Sequence, residues 1–523
     1  MSTRRYEVIV IGGGHNGLVA AAYLARAGRS VLVVERRELV GGPCVTEEVW
    51  PGYRVSVAAY LCSLLQPQVI QDLELERFGF QVIGKDPASF SSYADGRYLM
   101  FWQDDRTTLA EIAKFSTKDA EAYPLYSAHL RELADVVWAL QLRTPPVSGD
   151  LDEYLAACPE YRALSVANQR ALVKVLTQSA ANLLDEWFES PQLKATLSTD
   201  GAIGANGGPQ SAGTAYILLH HVMGGVNGQR GLWGFVRGGM GAVSESIAAS
   251  ARAHGAEIRV NTPVAQVLIE NGEARGVVLE SGEEIRANWV LSNAHPQVTF
   301  LNLVDSRHLP PAYLQAIRNY RTEGTSFKMN LALNGYPRFR AIPETPGPHH
   351  RATMHICPSM DYVQSAWEDC RNGEPARHPL LEMTIPTEYD RTLAPAGRHI
   401  MGVFIQYAPY TLRNGNWEQQ REIFADRAID HIEEYVPNIR SLIEHRMVLS
   451  PLDLERRFHL PGGNIFHGEM SLDQMFFARP VKGWGQYSTP IRNLYLCGSG
   501  THPGGGVMGA SGHNCAQEVL RRG

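Results

Sequence analysis

At 523 residues and 57.8 kDa the chain is too long for a single small core, and two large domains built from interleaved segments are expected. With 44% hydrophobic and 20% charged residues it has the composition of a globular protein and not of a disordered one. A formal net charge of -6 excludes an electrostatic case for nucleic-acid binding.

Residues 6–11, Tyr-Glu-Val-Ile-Val-Ile, form a short β-branched run of the kind that makes a buried parallel strand. Gly12-Gly13-Gly14-His15-Asn16-Gly17 follows without a gap, and residues 18–27 then read as an alanine-rich helix that Gly28 ends. A turn that brings bare backbone N–H groups and a helix N-terminus up to a pyrophosphate excludes side chains at Gly12, Gly14 and Gly17, and places His15 and Asn16 beside the ligand. Residues 30–34 supply a second strand ending at Glu35. That acid, with Arg36 next to it, stands about 20 residues past the glycines, where such folds place the carboxylate for a ribose hydroxyl. Gly41-Gly42 adds a glycine doublet beyond this acid, either a plain surface turn or part of an extended dinucleotide motif.

From residue 88 to 198 the pattern is mainly helical, with apolar spacing over 125–142 and 172–187. Residues 201–241 hold 13 glycines, too many for helix or strand, interleaved with Tyr216, Leu218, His220, His221 and Trp233. Two readings stand for this stretch, a close approach of backbone to a ligand and a loop-rich domain junction. An alanine-rich helix to His254 leads into strands over 256–260, 262–270, 274–279 and 290–292, a small β-meander with Val264 at the head of its second strand. Residues 326–331 read as a further strand carrying Lys328, which either faces a site or projects from a sheet edge.

Near the C-terminus, residues 493–498 form a strand entering a turn, followed by a glycine-rich loop through Gly509 and a helix through Leu520. Gly498, Gly506, Val507 and Met508 are the backbone positions expected at a ligand there. A helix N-terminus against a bound ligand would stabilise negative charge on it by about 1 kcal/mol. His502 lies in this loop and is, with Lys328, the candidate catalytic residue; His467 is either an acid/base group or a satisfied structural one.

Gly12–Gly17, Glu35, Gly41-Gly42, Gly239-Met240-Gly241 and the segment 493–509 together resemble the phytoene desaturase-related flavoproteins, the carotenoid and retinoid oxidoreductases. The runs 63–68, 218–225, 461–467, 470–474 and 496–500 extend the resemblance over nearly the whole chain. It implies an α/β fold: a Rossmann-type FAD-binding domain of the glutathione reductase-like two-domain flavoprotein fold, with an interleaved α+β substrate domain. FAD-binding segments are expected at 1–87, 231–298 and 456–523, and substrate-domain segments at 88–230 and 299–455. FAD is the expected cofactor, with Val264 offering backbone to the adenine and Lys328 taking the place of the lysine that amine oxidases set near the flavin.

The seven cysteines form no C-x-x-C pair and no cluster with histidine, so no metal site and no disulfide-reductase chemistry are expected, and neither is an NAD(P)H site. No apolar run is long enough to span a bilayer, and the strand beginning at Tyr6 leaves no room for a secretory leader. A cytoplasmic location is expected, with membrane contact at most peripheral, or a mitochondrial one for a eukaryotic source. Three activities remain open. They are dehydrogenation of a small-molecule, elongated apolar substrate with electrons passed to oxygen or a quinone, oxidation of an amine C–N bond, and FAD-holding in a regulatory or interaction protein with little turnover.

Overall fold

The computed structural model describes residues 5–522, and two seven-stranded sheets organise them. In the first sheet the strand order is Glu257–Arg259, Val31–Val34, Arg5–Ile11, Glu284–Ser292, Glu273–Leu279 and Val264–Glu270. Leu494–Leu496 joins it in parallel along the end of Glu284–Ser292. Pairing is parallel among the strands that Arg5–Ile11 and Val31–Val34 contact, and antiparallel through the meander. The parallel strands are continuous apolar runs because both faces are covered: Val31–Val34 is buried throughout. This is the Rossmann-type dinucleotide layer.

Helix His15–Arg26 lies against this sheet and is buried from His15 to Ala25. It packs between helices Gly241–Ala253 and Ala510–Arg522. Small residues permit the contact: a Cβ on Gly512 would stand 2.0 Å from the Asn16 carbonyl oxygen, and one on Gly17 would stand 2.3 Å from that of Gly12. The last helix is thus seated directly on the first.

The second sheet runs Ile443–Leu449, Ser326–Leu333, His399–Gln406, Leu380–Thr384, Thr353–Ile356, Ser89–Ser92 and Tyr98–Phe101. Phe327, Met329 and Leu331 point to one face, into a core shared with helix Trp417–Tyr435, so Lys328 and Asn330 point to the other. Ser326–Leu333 is flanked on both sides and fully buried, which removes the edge-strand reading of Lys328. A helical layer, residues 105–222, covers the end of this sheet.

Two helical expectations need correction. Residues 172–187 are not one helix but Val166–Thr177 and Ala180–Asp185, parted where the Ser179 side chain caps the second. The glycine-rich stretch contains a buried helix, Thr214–Val222, which begins directly after Gly213 at φ +84°. Glycine density averaged over 201–241 hides a nine-residue segment that itself lacks glycine.

Gly512→Ala is expected to destabilise the protein by about 1–3 kcal/mol through overpacking, read as a lowered denaturant midpoint with an unchanged slope. An unchanged midpoint would show that the first and last helices do not pack this closely.

Candidate functional site

A cavity of about 1370 Å³ opens where the parallel strands of the first sheet end and continues over the second sheet into the helical layer. At its first end Gly12 is at φ +94° and turns the chain from strand Arg5–Ile11 into helix His15–Arg26. The helix N-cap, Gly14, makes no side-chain cap hydrogen bond and the first turn carries no acid, so its N–H groups are available to an anion. Glu35 is buried at the end of Val31–Val34, where one carboxylate oxygen accepts from the Gly13 N–H (2.7 Å) and the other from the Arg37 N–H (2.8 Å). Gly42 faces the void: a Cβ built on it meets nothing nearer than the Gly14 Cα at 3.8 Å.

Gly12, Gly14, His15, Asn16, Glu35 and Arg36 line this end together with Gly41, Gly42 and Val264. Gly506 and Val507 reach the same cavity from the C-terminal loop, alongside Ser499, whose hydroxyl accepts from the Asn16 side chain at 2.9 Å. His15 is enclosed, and burial pushes its imidazole down to about 4 despite a hydrogen bond with the Gly506 backbone.

Four expected residues stand behind the wall and do not line the cavity. Gly17 and Gly498 are glycines of close approach, Gly17 against Gly12 and Gly498 with a Cβ position 2.6 Å from the Asn293 carbonyl oxygen. The Met508 side chain packs into the helical core while its carbonyl accepts from the Gln66 N–H at 3.0 Å. His502 is turned away: its Nε2 lies 3.0 Å from the Leu140 carbonyl oxygen and 3.1 Å from the Tyr154 hydroxyl. Burial holds it down to about 4, so it is a neutral imidazole tying the loop to the helical layer.

Beyond the dinucleotide end, one transverse row of the second sheet faces the cavity. Its register is Lys328, Phe404, Glu382, His355, each opposite the next on neighbouring strands. Glu382 accepts from the Tyr60 hydroxyl at 2.6 Å and pairs with His355 Nε2 at 2.9 Å. His355 and Tyr60 hold its carboxyl down to about 2 against burial. Lys328 is 2% exposed, its Nζ stands 3.9 Å from the Tyr60 ring centroid, and no hydrogen bond reaches it among the described residues. Burial pushes it down to about 7, opposed by Glu382. Lys85, bonded to the Thr353 hydroxyl, is lowered by burial to about 8.

The sequence reading missed Tyr60, Lys85, Asp200, His355 and Glu382. Ionisable residues inside strands that otherwise read as apolar, such as Glu382 in Leu-Leu-Glu-Met-Thr, were the available signal.

Arg479 is fully buried behind the cavity wall and has no carboxylate partner among the described residues. Its guanidinium donates to the carbonyls of Phe466, His467 and Ser499, among others. His467, in the left-handed region at φ +58°, lines the cavity, and burial keeps its ring near 3, with His15 and Arg479 adding to the effect.

These features fit FAD. A helix N-terminus free of side chains, an acid at the end of the second strand, a glycine doublet opening onto the void and a continuous path to the second sheet suit a dinucleotide with an attached ring system. The volume exceeds the roughly 300–1,000 Å³ of a pocket for one drug-sized ligand, which leaves room for a substrate beside the cofactor. The protein is an FAD-dependent oxidoreductase of the two-domain flavoprotein fold.

Residues 17–520 match the family model of flavin containing amine oxidoreductases, and the chain belongs to that family. It is 45% identical to pyridine nucleotide-disulfide oxidoreductase domain-containing protein 2 of Rattus norvegicus, over 99% of this chain and 93% of that protein. It is 26% identical to a phytoene desaturase (lycopene-forming) of Pantoea ananas, over 96% of each. A solved structure of a putrescine oxidase triple mutant superposes with a TM-score of 0.64 at 16% identity, covering all of both chains, and shows the same fold.

A lysine lowered to about 7 from its ordinary 10.5 binds its proton more tightly in the unfolded chain, so Lys328 makes stability rise with pH between those values. Lys328→Met is expected to lack that rise, and to lose a transition near pH 7 in the visible spectrum of the oxidised FAD-loaded protein. A spectrum that titrates identically in wild type and variant would remove Lys328 from the flavin's surroundings.

Proposed function

We propose that the protein dehydrogenates an elongated, largely apolar small molecule and passes the electrons to oxygen or a quinone. The observation that carries this reading is the apolar lining of the cavity beyond the dinucleotide end, where Phe101, Tyr123, Tyr126, Leu130, Ile203 and Leu218 come from the helical layer and the strands beside it. A slot of that kind selects by apolar burial, worth about 25 cal/mol per Å² removed from water, and excludes solvent from the reacting bond. The phytoene desaturase relative is named for a reaction of this type.

In this proposal Gly12, Gly14, Asn16, Glu35, Gly41 and Gly42 would hold FAD, together with Gly506 and Val507 of the C-terminal loop. Bound FAD supplies the two-electron acceptor. Glu35 would accept from the ribose hydroxyls, and the helix N-terminus at Gly14 would hold the pyrophosphate. Lys328, without a hydrogen-bonding partner and held over Tyr60, would hold or release a proton at its Nζ on the cavity side of the second sheet. His502 stays outside this scheme because its ring is committed to Leu140 and Tyr154.

Oxidation of an amine C–N bond is the second reading, favoured by the family match and by the same buried lysine. No helix among the described residues is long and apolar enough to cross a membrane, and the proposal takes the apolar substrate from solution or from a membrane surface by peripheral contact.

Anaerobic titration of the FAD-loaded protein separates the readings. Long-chain apolar donors are expected to bleach the flavin bands, and Lys328→Met is expected to slow their return on readmission of oxygen by tenfold or more, about 1.4 kcal/mol of barrier. Bleaching by short amines alone would favour the second reading; no bleaching by either class would contradict both.

A further inference from the structure

A second, smaller void lies on the face of the second sheet that carries Lys328, and the sheet register explains it. One transverse row holds Lys328, Phe404 and Glu382, and the next row along the same strands holds Asn330, Gly402 and Thr384, with Gly402 in register with both neighbours. Alternate residues share a face, so the two rows look the same way. Gly402 has no side chain, which leaves a gap between those of Asn330 and Thr384. The gap measures about 20 Å³, and Tyr60 lines both it and the main cavity.

Three polar groups converge there. A Cβ built on Gly402 would stand 3.1 Å from Lys328 Nζ, 3.3 Å from Thr384 Oγ1 and 3.7 Å from Asn330 Oδ1. Asn330 spends its Nδ2 on the Val57 carbonyl at 3.2 Å, and no hydrogen bond reaches its Oδ1, the Thr384 hydroxyl or Lys328 Nζ among the described residues. The three are complementary, because the ammonium only donates, the amide oxygen only accepts and the hydroxyl does either. Ser56 and Tyr60 also line the gap, but the one hydroxyl accepts from the Met240 N–H and the other donates to Glu382. A buried water needs roughly 10–15 Å³ or more and two to four polar partners, so the gap suits one water and nothing larger.

Lys328 has need of such a partner. Its neighbours on the flanking strands, Phe404 and Leu449, are apolar, and the titratable groups that face it are Tyr60 and Glu382. Both Glu382 oxygens are taken, by Tyr60 and His355. A buried ammonium with no hydrogen bond at all is costly.

We propose that the niche over Gly402 binds one buried water, which accepts from Lys328 Nζ and is held by Asn330 and Thr384, so that Lys328 has its hydrogen-bonding partner in a compartment that Tyr60 separates from the main cavity. The bearing of this site on turnover rests on the role given to Lys328 above; its occupancy does not.

Two measurements on the FAD-loaded protein test the site. A crystal structure is expected to show one solvent oxygen within hydrogen-bonding distance of Lys328 Nζ and of Thr384 Oγ1 or Asn330 Oδ1; well-defined side chains without it overturn the proposal. The second is the titration of Lys328 followed by nitrogen NMR of lysine-labelled protein, the resonance being assigned by its loss in Lys328→Met. Gly402→Ala sets a methyl group where the water would stand, at a strand position outside the left-handed region, and Thr384→Val removes one of the water's holders at nearly constant shape. Each is expected to lower the pH at which Lys328 titrates, Gly402→Ala by about one unit, a tenfold loss of proton affinity. Because both act through the same water, the double variant is expected to titrate no lower than Gly402→Ala alone. Titrations unshifted in both single variants, or shifts that add in full, overturn the water site. The expected shifts together with unchanged flavin reoxidation in Lys328→Met would keep the water and discard the role of Lys328 in turnover.

Discussion

The structure depends on backbone meeting backbone at the end of the first strand. Gly12, Gly17 and Gly512 bring the first turn, the first helix and the last helix to separations that a Cβ at Gly17 or Gly512 would block, 2.3 Å at Gly17 and 2.0 Å at Gly512. That closeness leaves the N–H groups of the helix start uncapped and brings the C-terminal loop to the same end of the cavity, in contact with Asn16 through Ser499. A dinucleotide site assembled from the two ends of a chain requires the intervening residues to form a layer of their own. Here they do so as the second sheet and the helices that cover it.

Burial of charge is the second organising cost. Glu382, Lys328, Lys85 and Arg479 are each withdrawn from water, and each would be expensive alone. Cross-strand register brings His355 to Glu382, and the loop at Tyr60 supplies both a hydroxyl for Glu382 and an aromatic face for Lys328. Arg479 is satisfied differently, by carbonyls of the segments that wall the cavity. Its charge therefore fixes loop shape and adds to the field that keeps His467 and His502 neutral.

The dinucleotide layer was legible in the sequence because its signals are local: a β-branched strand, glycines at fixed spacing and an acid at the end of the next strand all fall within residues 6–42. The meander and the terminal strand-loop-helix were legible for the same reason. The row Lys328, Phe404, Glu382, His355 was not, because it exists only through pairing of strands distant in sequence, and no spacing rule joins those positions. His502 misled in the opposite sense. It lies in the segment nearest the expected ligand, but side-chain direction is set by the helical layer behind it, a tertiary fact that the motif does not contain. The helix at Thr214–Val222 was obscured by the glycines around it, and with it the placement of His221.

One half of the cavity suits FAD and the other has room for a substrate. The most direct measurement is the visible spectrum and flavin content of the purified protein, taken before and after reconstitution with FAD. Flavin absorption bands at one FAD per chain are expected of such a cavity. A colourless protein that takes up no FAD on reconstitution would contradict it.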